Sequence, residues 1–328
     1  MRGILNKKYG IIIITFFLLM FLIVFFTTIG SVNLSLSEVV NALMTDEKSV
    51  ARTIVYKMRL PRNTLAVLVG ANLAVSGILL QSVMKNPLAD PGITGVSTGA
   101  SVVAIFIILV APQWISMLPL FAFIGGAIAC CLVFLLAWKN GIQPMRIVLA
   151  GVAVNSILGG FISMLSILHS DRIQSALFWL NGSLAATTWD NVTMLLPYSI
   201  VGLVASLFLI RSANVLQLGD EAAKNLGFNV SLTRVVISAV GVFLAGVTTS
   251  IVGVIGFIGL IVPHVARMLM GSDHKYTIPF SIVLGGMVLL VADTLGRTVG
   301  GAIEIPVGVI TSIVGGPFFL YLLRKKGV

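Results

Sequence analysis

The stretch SANVLQLGDEAAKNLGFNVSLTR, residues 212–234, is the longest polar interruption in the second half of an otherwise apolar chain. Asp220 is a candidate N-cap, because its carboxylate can accept a hydrogen bond from an unpaired N–H of a first helical turn. Alanine and lysine residues that favour helix follow, and Gly227 suits the left-handed conformation that ends one. Asn229 or Ser231 is suited to cap the next helix. The pattern predicts a short helix, which is too short to be stable alone and so packs on this protein or a partner.

The composition of the chain is that of a membrane protein. Of the 328 residues, 58% are hydrophobic and 10% are charged, whereas soluble domains carry about 25% charged residues. A membrane-spanning helix needs about 20 mostly apolar residues. The chain offers ten such runs: 11–29, 64–84, 93–110, 115–137, 143–167, 191–210, 233–252, 255–270, 278–292 and 306–323. We predict an all-α polytopic membrane protein in which residues 1–328 form a single transmembrane domain.

The seventh and eighth runs are not separated by a charge. Residues 235–263 contain no charged side chain. This stretch is long for one span and short for two, so hydropathy is compatible with either one span or two.

Breaks rich in glycine and proline, at 86–92 and 256–263, interrupt corresponding places in the two halves of the chain. Such breaks are typical of inverted-repeat transporters, and they predict an inverted repeat.

The basic residues set the expected orientation. With ten spans, both termini and the loop at 212–234 fall on one side, which carries fourteen of the 21 Lys and Arg residues. Because cytoplasmic loops carry the basic excess, we predict that this side is cytoplasmic. The outer loop at 31–62 is the exception, since it holds five basic residues: Lys48, Arg52, Lys57, Arg59 and Arg62. Within it, Ser35 and Glu38 have the spacing of a capping box, which predicts a short outer helix.

Several classes of function lack their signatures. The chain has no P-loop and no HExxH or Ser/His/Asp constellation, so we do not expect an enzyme. Adjacent Cys130 and Cys131 match no metal spacing, and no carboxylate or histidine cluster does either, so neither a metal nor a cofactor is expected. The net charge of +10 lies mostly in short loops without interleaved aromatic residues, which argues against nucleic acid as a partner.

Eight stretches resemble, in the same order, the permease subunits of bacterial ABC importers for iron(III)-siderophores, haem and cobalamin, the FecCD-type or type II importer family. They are MRLPRN (58–63), GANLAVSG (70–77), NPLADPGITGVSTGAS (86–101), FWLNGSL (178–184), LGDEAAKNLGFNV (218–230), GFIGLIVPHVAR (256–267), ADTLGRT (292–298) and EIPVGVITSIVGGPFFLYLLR (304–324). The resemblance implies ten transmembrane helices, so that residues 235–263 form two spans. It also implies a complex with a second permease, identical or paralogous, two cytoplasmic ATPases and an external binding protein.

The resemblance assigns roles at the two ends of the protein. It implies that the short helix enters a groove of the ATPase, with a coupling site of Asp220, Glu221, Ala222, Leu226 and Gly227. It implies that Arg59, Arg62 and Arg297 face outward and pair with carboxylates of the binding protein, which suits the planar guanidinium fork. Snorkelling at the membrane boundary is the alternative for these arginines. Asp293 and Glu304 are placed to orient Arg297.

The expected pathway rests on two sets of residues. Asn155, Ser156 and Ser163 lie along the fifth span, and the family lines its pathway with this span. Phe178, Trp179, Gly182 and Ser183 lie in the FWLNGSL stretch, which in the family forms a short helix at the pore mouth. Hydrogen bonds between helices and an interfacial aromatic belt are the alternative explanations for the two sets.

Together these features predict a multi-pass permease of the bacterial plasma membrane that imports a ferric siderophore as an intact chelate. The expected mechanism is alternating access driven by separate ATPases. Import of cobalamin or haem is the alternative within the family. A secondary transporter is disfavoured, because it would carry ionisable residues in mid-span, whereas the charges here cluster at span ends.

Overall fold

The computed structural model describes residues 2–30, 32, 34–45, 49–139, 141–300 and 304–326, and Lys48 of the predicted outer loop lies outside them. Within these ranges every named element is a helix, as predicted. The α-helices are α1 (Arg2–Thr28), α2 (Leu36–Met44), α3 (Val50–Arg52), α4 (Leu60–Met84), α5 (Val96–Leu109), α6 (Leu118–Ala137), α7 (Pro144–Leu168), α8 (Ile173–Leu180), α9 (Trp189–Phe208), α10 (Ile210–Gln217), α11 (Asp220–Asn225), α12 (Val230–Val252), α13 (Ile258–Met270), α14 (His274–Val299) and α15 (Val307–Lys326). A π-helix (Thr53–Arg59) and 3-10 turns (Pro91–Thr94, Pro112–Met117 and Ser170–Arg172) join some of them.

The ten predicted spans coincide with ten of these helices. In the described chain, seven stretches are long and apolar enough to cross a bilayer: Lys7–Thr28, Val50–Met84, Pro112–Ala137, Pro144–Leu168, Trp189–Phe208, Val230–Val252 and His274–Val299. Shorter apolar helices at Val96–Leu109, Ile258–Met270 and Val307–Tyr321 occupy the other three predicted spans. Residues 253–257 are not helical, so the uncharged run forms two helices, as the resemblance implied.

The predicted capping box is present at the start of α2. The Ser35 hydroxyl accepts a hydrogen bond from the Glu38 N–H, and the Glu38 carboxylate accepts one from the Ser35 N–H (2.7 Å). Beyond α2 and α3, the π-helix runs directly into α4 without a break. The described part of the outer loop is therefore mostly helical and continuous with a membrane span.

Helix α4 is the central helix of the bundle. It is buried along nearly its whole length, because α9, α12, α13 and α14 pack around it. Two glycines permit close backbone approach: a Cβ added to Gly70 would clash with the Gly285 carbonyl of α14, and one added to Gly77 would clash with the Gly259 carbonyl of α13. Contacts between small residues are typical of packed membrane helices.

The two helix interruptions meet beside α4. Residues 85–95 precede the short helix α5, and residues 253–257 precede the short helix α13. A Cβ added to Gly259 would lie 3.1 Å from Cδ of Pro91, and Gln81 Nε2 donates to the Gly259 carbonyl (3.0 Å). The chain thus breaks before α5 and before α13 at one place inside the bundle, an arrangement that fits the predicted inverted repeat.

Long-range contacts define two ends of the bundle. At what we call the inner end, Lys85 pairs with Asp220, and Lys8 Nζ donates to the last carbonyl of α13 (2.6 Å). At what we call the outer end, Arg59 Nη1 donates to the Thr27 carbonyl (2.8 Å). The polar segment at 212–234 and the outer loop therefore lie at opposite ends, as predicted.

Candidate functional site

The segment between α9 and α12, which we call the coupling segment (residues 210–229), covers part of the inner end. The prediction that Asp220 is the N-cap of its short helix is wrong. Gly219 occupies that position with a φ of +104°, and Asp220 is the first helical residue. The Asp220 carboxylate instead accepts hydrogen bonds from Lys85 Nζ (2.5 Å) and Arg234 Nη2 (2.8 Å). These ion pairs join α11 to the end of α4 and to the start of α12.

The ionisation of Asp220 keeps this junction intact at neutral pH. Partial burial acts to raise the pKa of Asp220, but the hydrogen bond from Lys85 and the charge of Arg234 outweigh it, so the pKa is lowered. The resulting stabilisation is complete above the unfolded-state pKa of about 3.9. It is lost as the pH falls through the lower pKa of the folded state.

Gly227 ends α11 in the predicted left-handed conformation, with a φ of +80°. The Phe228 N–H donates to the Ala223 carbonyl (3.0 Å), and the Gly227 N–H donates to the following carbonyl (2.8 Å). This pair of bonds is the Schellman motif. Asn229, one of the two predicted caps, then accepts a hydrogen bond from the Leu232 N–H (3.1 Å) and begins α12.

One side of α11 is packed and the other is exposed. Ala223 is fully buried and Ala222 is half-buried, whereas Glu221 is exposed. Leu226 is 58% exposed, and Leu218, just before the helix, is 63% exposed. Two exposed leucines beside charged side chains form a surface of the kind that a partner groove accepts. The arrangement is compatible with coupling, and that role stays a prediction.

Arg59 lies at the outer end, but its side chain is buried. Its guanidinium donates to the carbonyls of Thr27 (2.8 Å), Thr28 (3.1 Å) and Val32. The last carbonyls of a helix have no partner within the helix. The Arg59 guanidinium caps the C-terminal carbonyls of α1 and does not face outward. The expected outward orientation of Arg59 is therefore wrong.

Arg62 joins three segments of the outer end. Its Nε and Nη2 donate to the Asp293 carboxylate (2.9 and 3.0 Å), and its Nη1 donates to Glu304 (2.8 Å). The pairing with Asp293 has the bidentate geometry that favours arginine. Asp293 is 1% exposed and Glu304 is 48% exposed, so one carboxylate anchors Arg62 and the other brings the network to the surface.

The expected outward orientation of Arg297 is also wrong. Its side chain is buried, and Nη2 donates to the Phe26 carbonyl (3.0 Å) and to Asn63 Oδ1 (3.2 Å). Asp293 bonds to Arg62 instead, so this acid orients a different arginine from the one predicted. Asn63 is a member of the network that sequence reasoning missed. The only sequence signal for Asn63 is its position in the MRLPRN stretch, because its hydrogen-bond partners lie on other helices.

The polar residues of α7 differ in their surroundings. Asn155 Nδ2 donates to the Gly92 carbonyl (3.0 Å), while its buried Oδ1 has no hydrogen-bond partner among the described residues. Ser156 is exposed and donates to the Val152 carbonyl of its own helix (2.8 Å), and Ser163 is exposed. The structure brings Asn155 to the first helix interruption and leaves both serines on an uncovered face of α7.

The FWLNGSL stretch forms a helix and a turn at the outer end. Phe178 and Trp179 belong to the short helix α8, and Phe178 is 43% exposed. Gly182 has a φ of +61°, and its carbonyl accepts an N–H at the start of α15 (3.3 Å). The Ser183 N–H donates to the last carbonyl of α12 (2.9 Å). Gly182 and Ser183 therefore tie the turn after α8 to the end of α12 and the start of α15.

Metal-ligating side chains are dispersed. Among the described residues, no group of three or more His, Cys, Asp or Glu side chains is placed to hold a metal ion. Cys130 is buried, Cys131 is exposed, and neither forms a disulfide.

Comparison with known proteins identifies the architecture. The family model of the FecCD transport family matches residues 18–325. An Fe(3+)-citrate import system permease of Bacillus subtilis is 39% identical over 300 residues, covering 91% of this chain and 89% of the relative. A cobalamin import system permease of Halobacterium salinarum is 42% identical over 279 residues, covering 85% of this chain and 75% of the relative. A solved structure, described as an inward-facing transporter of the metal-chelate ABC type, superposes with a TM-score of 0.86 at 28% identity, covering 96% of this chain and 99% of that one.

The chain therefore belongs to the FecCD transport family. It is a multi-pass membrane protein and a permease subunit of an ABC importer, not an enzyme.

Proposed function

We propose that this FecCD-family permease imports a ferric siderophore as an intact chelate, by alternating access driven by separate ATPase subunits. The observation that carries the proposal is the coupling segment. Asp220 fastens α11 to two membrane helices, while Leu226 projects from it. A rigid anchor with an exposed apolar side chain is what a force-transmitting contact with another subunit requires.

The inner end is the cytoplasmic end of this proposal. Fourteen of the 21 Lys and Arg residues fall on the side of the coupling segment, as expected for a bacterial plasma-membrane protein. Both termini then lie in the cytoplasm. The ATPases bind α11 through Glu221, Ala222, Leu226 and Gly227, and Asp220 transmits their movement to α4 and α12.

The external binding protein docks at the outer end. Arg62 and Glu304 bring the buried network to the surface there, and Lys57 is exposed nearby. Arg59 and Arg297 act beneath this surface by fixing α1, α4 and α14 in register. Charged pairs of this kind mainly steer the encounter and select the partner.

A second permease, identical or paralogous, completes the transport pathway. Gly159 and Gly160 on α7, and Gly316 on α15, have open space where a Cβ would lie. Uncovered small residues favour close approach of another helix. Ser156 and Ser163 line the pathway on the same helix, and α8 with Gly182 and Ser183 forms its outer mouth.

The substrate assignment rests on the chemistry of the chain and on its relatives. The described residues include no metal-ligating cluster, so a metal would cross inside its chelate. The relatives are named for ferric citrate and for cobalamin, and both are bulky metal complexes. Cobalamin and haem, in which a tetrapyrrole-type ring holds the metal, are therefore the alternative cargoes.

Uptake by cells with and without this chain tests the proposal. We expect chain-dependent uptake of at least one radiolabelled ferric siderophore, and competition by the same unlabelled chelate. Chain-dependent uptake of haem or cobalamin alone would assign the alternative cargo. Equal uptake of all three in the two strains would contradict the proposal.

A further inference from the structure

An apolar groove of about 500 Å³ lies between α6 and α12. Phe123 and Phe134 on α6 and Phe243 on α12 form its walls, and Trp138 stands at its inner mouth. Between Phe123 and Trp138, α6 rises about 22 Å at 1.5 Å per residue. This length exceeds half of the ~30 Å hydrocarbon core of a bilayer. The groove is therefore long enough to take one hydrocarbon chain from the inner leaflet.

Among the described residues that line the groove, Ser238 is the one with a hydroxyl group. It is 2% exposed, and its Oγ has no hydrogen-bond partner among the described residues. Ser82 and Thr248 donate to the carbonyl four residues earlier (2.8 and 2.7 Å), whereas the buried Ser281 hydroxyl on α14 also lacks a partner but lies outside the lining of the groove. A buried hydroxyl without a partner is unfavourable. Ser238 therefore points to an occupant that carries a hydrogen-bond acceptor at its depth.

The depth of Ser238 matches the ester region of a phospholipid. Arg234 Nη1 donates to the Ile142 carbonyl in the loop at the mouth of the groove (2.8 Å). Ser238 lies one helical turn, about 6 Å, further into the bundle. An acceptor just below the head group, with a hydrocarbon chain beyond it, is the order of groups in a phospholipid.

The mouth of the groove is basic. Lys139 is exposed directly after Trp138, and Arg146 Nη2 approaches the Leu136 carbonyl (3.5 Å). The sequence between Asp90 and Asp171 contains no acidic residue, and the Asp220 carboxylate near the mouth is already paired with Arg234 and Lys85. Basic residues at the inner face attract anionic head groups, and tryptophan is favoured at the same level.

The groove lies on a face that suits lipid better than a second permease. Large apolar side chains flank it on α6, where Ile128 is 65% exposed and Leu135 is 73% exposed. The uncovered glycines that favour helix contact lie instead on α7, at Gly159 and Gly160.

We propose that the groove between α6 and α12 is a binding site for an anionic phospholipid. One acyl chain fills the groove, the Ser238 hydroxyl donates to the ester carbonyl, and Lys139 pairs with the phosphate. The lipid thereby fixes α6 against α12, the helix that begins at the end of the coupling segment.

Quenching of Trp138 by brominated lipid tests the site. Trp138 is the tryptophan at the inner end, since Trp114, Trp179 and Trp189 lie at the outer end. The full-length protein is placed in phosphatidylcholine vesicles that contain increasing fractions of acyl-brominated phosphatidylglycerol, or of acyl-brominated phosphatidylcholine. The contribution of Trp138 is obtained by subtracting the quenching of a Trp138→Phe variant from that of the wild type. We expect the saturable quenching to reach half of its maximum at a fraction of brominated phosphatidylglycerol about fivefold lower than the fraction of brominated phosphatidylcholine that is required, because one basic side chain near the surface favours an anionic lipid by roughly this factor.

Separate variants test the contacts proposed for the head group, the ester and the acyl chain of the lipid. Lys139→Gln should abolish the preference for phosphatidylglycerol, whereas Ser238→Ala should weaken both lipids equally, because both carry the ester. Ala239→Leu, which fills the groove, should remove the saturable component for both lipids, and Ala127→Leu on the opposite wall repeats this test. Val236→Leu, on α12 but outside the lining, is the matched control and should behave as the wild type.

Three outcomes would overturn the proposal. Identical curves for the two lipids in the wild type would exclude selective binding. Loss of quenching in Val236→Leu as well as in Ala239→Leu would show that the signal does not come from the groove. Absence of Trp138 quenching by either lipid, together with protection of Cys131 from a membrane-soluble thiol reagent, would show that protein covers the groove.

Discussion

Buried arginines of the outer end hold helices together through main-chain and carboxylate partners. Arg59 closes the end of α1, Arg297 contacts both α1 and Asn63, and Arg62 joins α4 to Asp293. A charge that is buried in this way is stable only while its partners remain in place. Removal of either partner should therefore lower the stability of the permease itself, before any effect on docking.

Replacement of Arg59 by methionine should destabilise the isolated permease by about 1–3 kcal/mol, because buried carbonyls lose their donor. The nearby exposed Lys57→Met is the control and should change stability by less than about 0.5 kcal/mol. Both values are obtained from unfolding in mixed micelles. An Arg59→Met protein of wild-type stability that no longer binds its partner would assign the guanidinium to docking instead.

Replacement of Asp293 by leucine should destabilise the protein by about 3–5 kcal/mol, because the Arg62 charge is left buried without its main partner. Glu304→Gln, at the exposed carboxylate of the same arginine, should cost less than about 1 kcal/mol. The double variant Arg62→Met with Asp293→Leu should recover most of the loss, since a matched apolar pair removes the unpaired charge. Equal effects of the Asp293 and Glu304 variants would contradict this account of the network.

At the scale of elements, glycine contacts and helix interruptions determine how the spans pack. Helix α4 approaches α14 at Gly70 and α13 at Gly77, where the partner atoms are main-chain carbonyls. Backbone atoms cannot rotate away as a side chain can, so an added methyl group must move a helix. The interruption before α13 depends on the contact at Gly77, because Gly259 lies in the first turn of that helix.

Gly77→Ala should lower the free energy of unfolding by about 1–3 kcal/mol, as expected for overpacking at a rigid contact. Gly10→Ala provides the matched control, because Gly10 lies within α1 and has open space around it. That variant should be neutral or stabilising by up to about 1 kcal/mol through helix propensity alone. The same unfolding assay serves both, and a neutral Gly77→Ala would show that α4 and α13 do not pack closely.

The elements could be predicted from the sequence better than the contacts between them. Long apolar runs require helices in a membrane, so the ten spans were predictable, and local caps such as Ser35 and Asn229 carry their own signal. The separation of α12 from α13 is not marked by any charged residue; the glycine- and proline-rich break at 256–263 permits it, but only the family resemblance decided between one span and two. Asp220 was assigned to the wrong cap position because its ion-pair partners, Lys85 and Arg234, become neighbours only in the fold.

The same reasoning explains the arginines of the outer end. A guanidinium near a span boundary has the same local sequence whether it faces water or a carbonyl. Arg62 and Asp293 are 231 positions apart, and nothing in either local stretch identifies the other as its partner. Burial of Arg59 and Arg297 was therefore beyond what spacing and composition can indicate.

On the scale of the whole molecule, α4 connects the two proposed contact surfaces. Its inner end meets the coupling segment through Lys85 and Asp220, and its outer end carries Arg62 beneath the proposed docking surface. Between them it packs against α12, α13 and α14. We expect movement of α11 to reach the outer end through this helix bundle, as alternating access requires.

ATP-driven transport by the reconstituted complex tests whether the coupling segment links ATP hydrolysis to import. Proteoliposomes containing the permease, its ATPase and its binding protein are supplied with a radiolabelled ferric siderophore. We expect accumulation that requires ATP on the side of the coupling segment and is lost in Leu226→Asp. We also expect that Asn225→Asp, which adds the same charge at the neighbouring exposed residue and keeps the leucine, retains most of the activity. Accumulation that continues without ATP in response to an ion gradient, or that survives Leu226→Asp, would contradict this link.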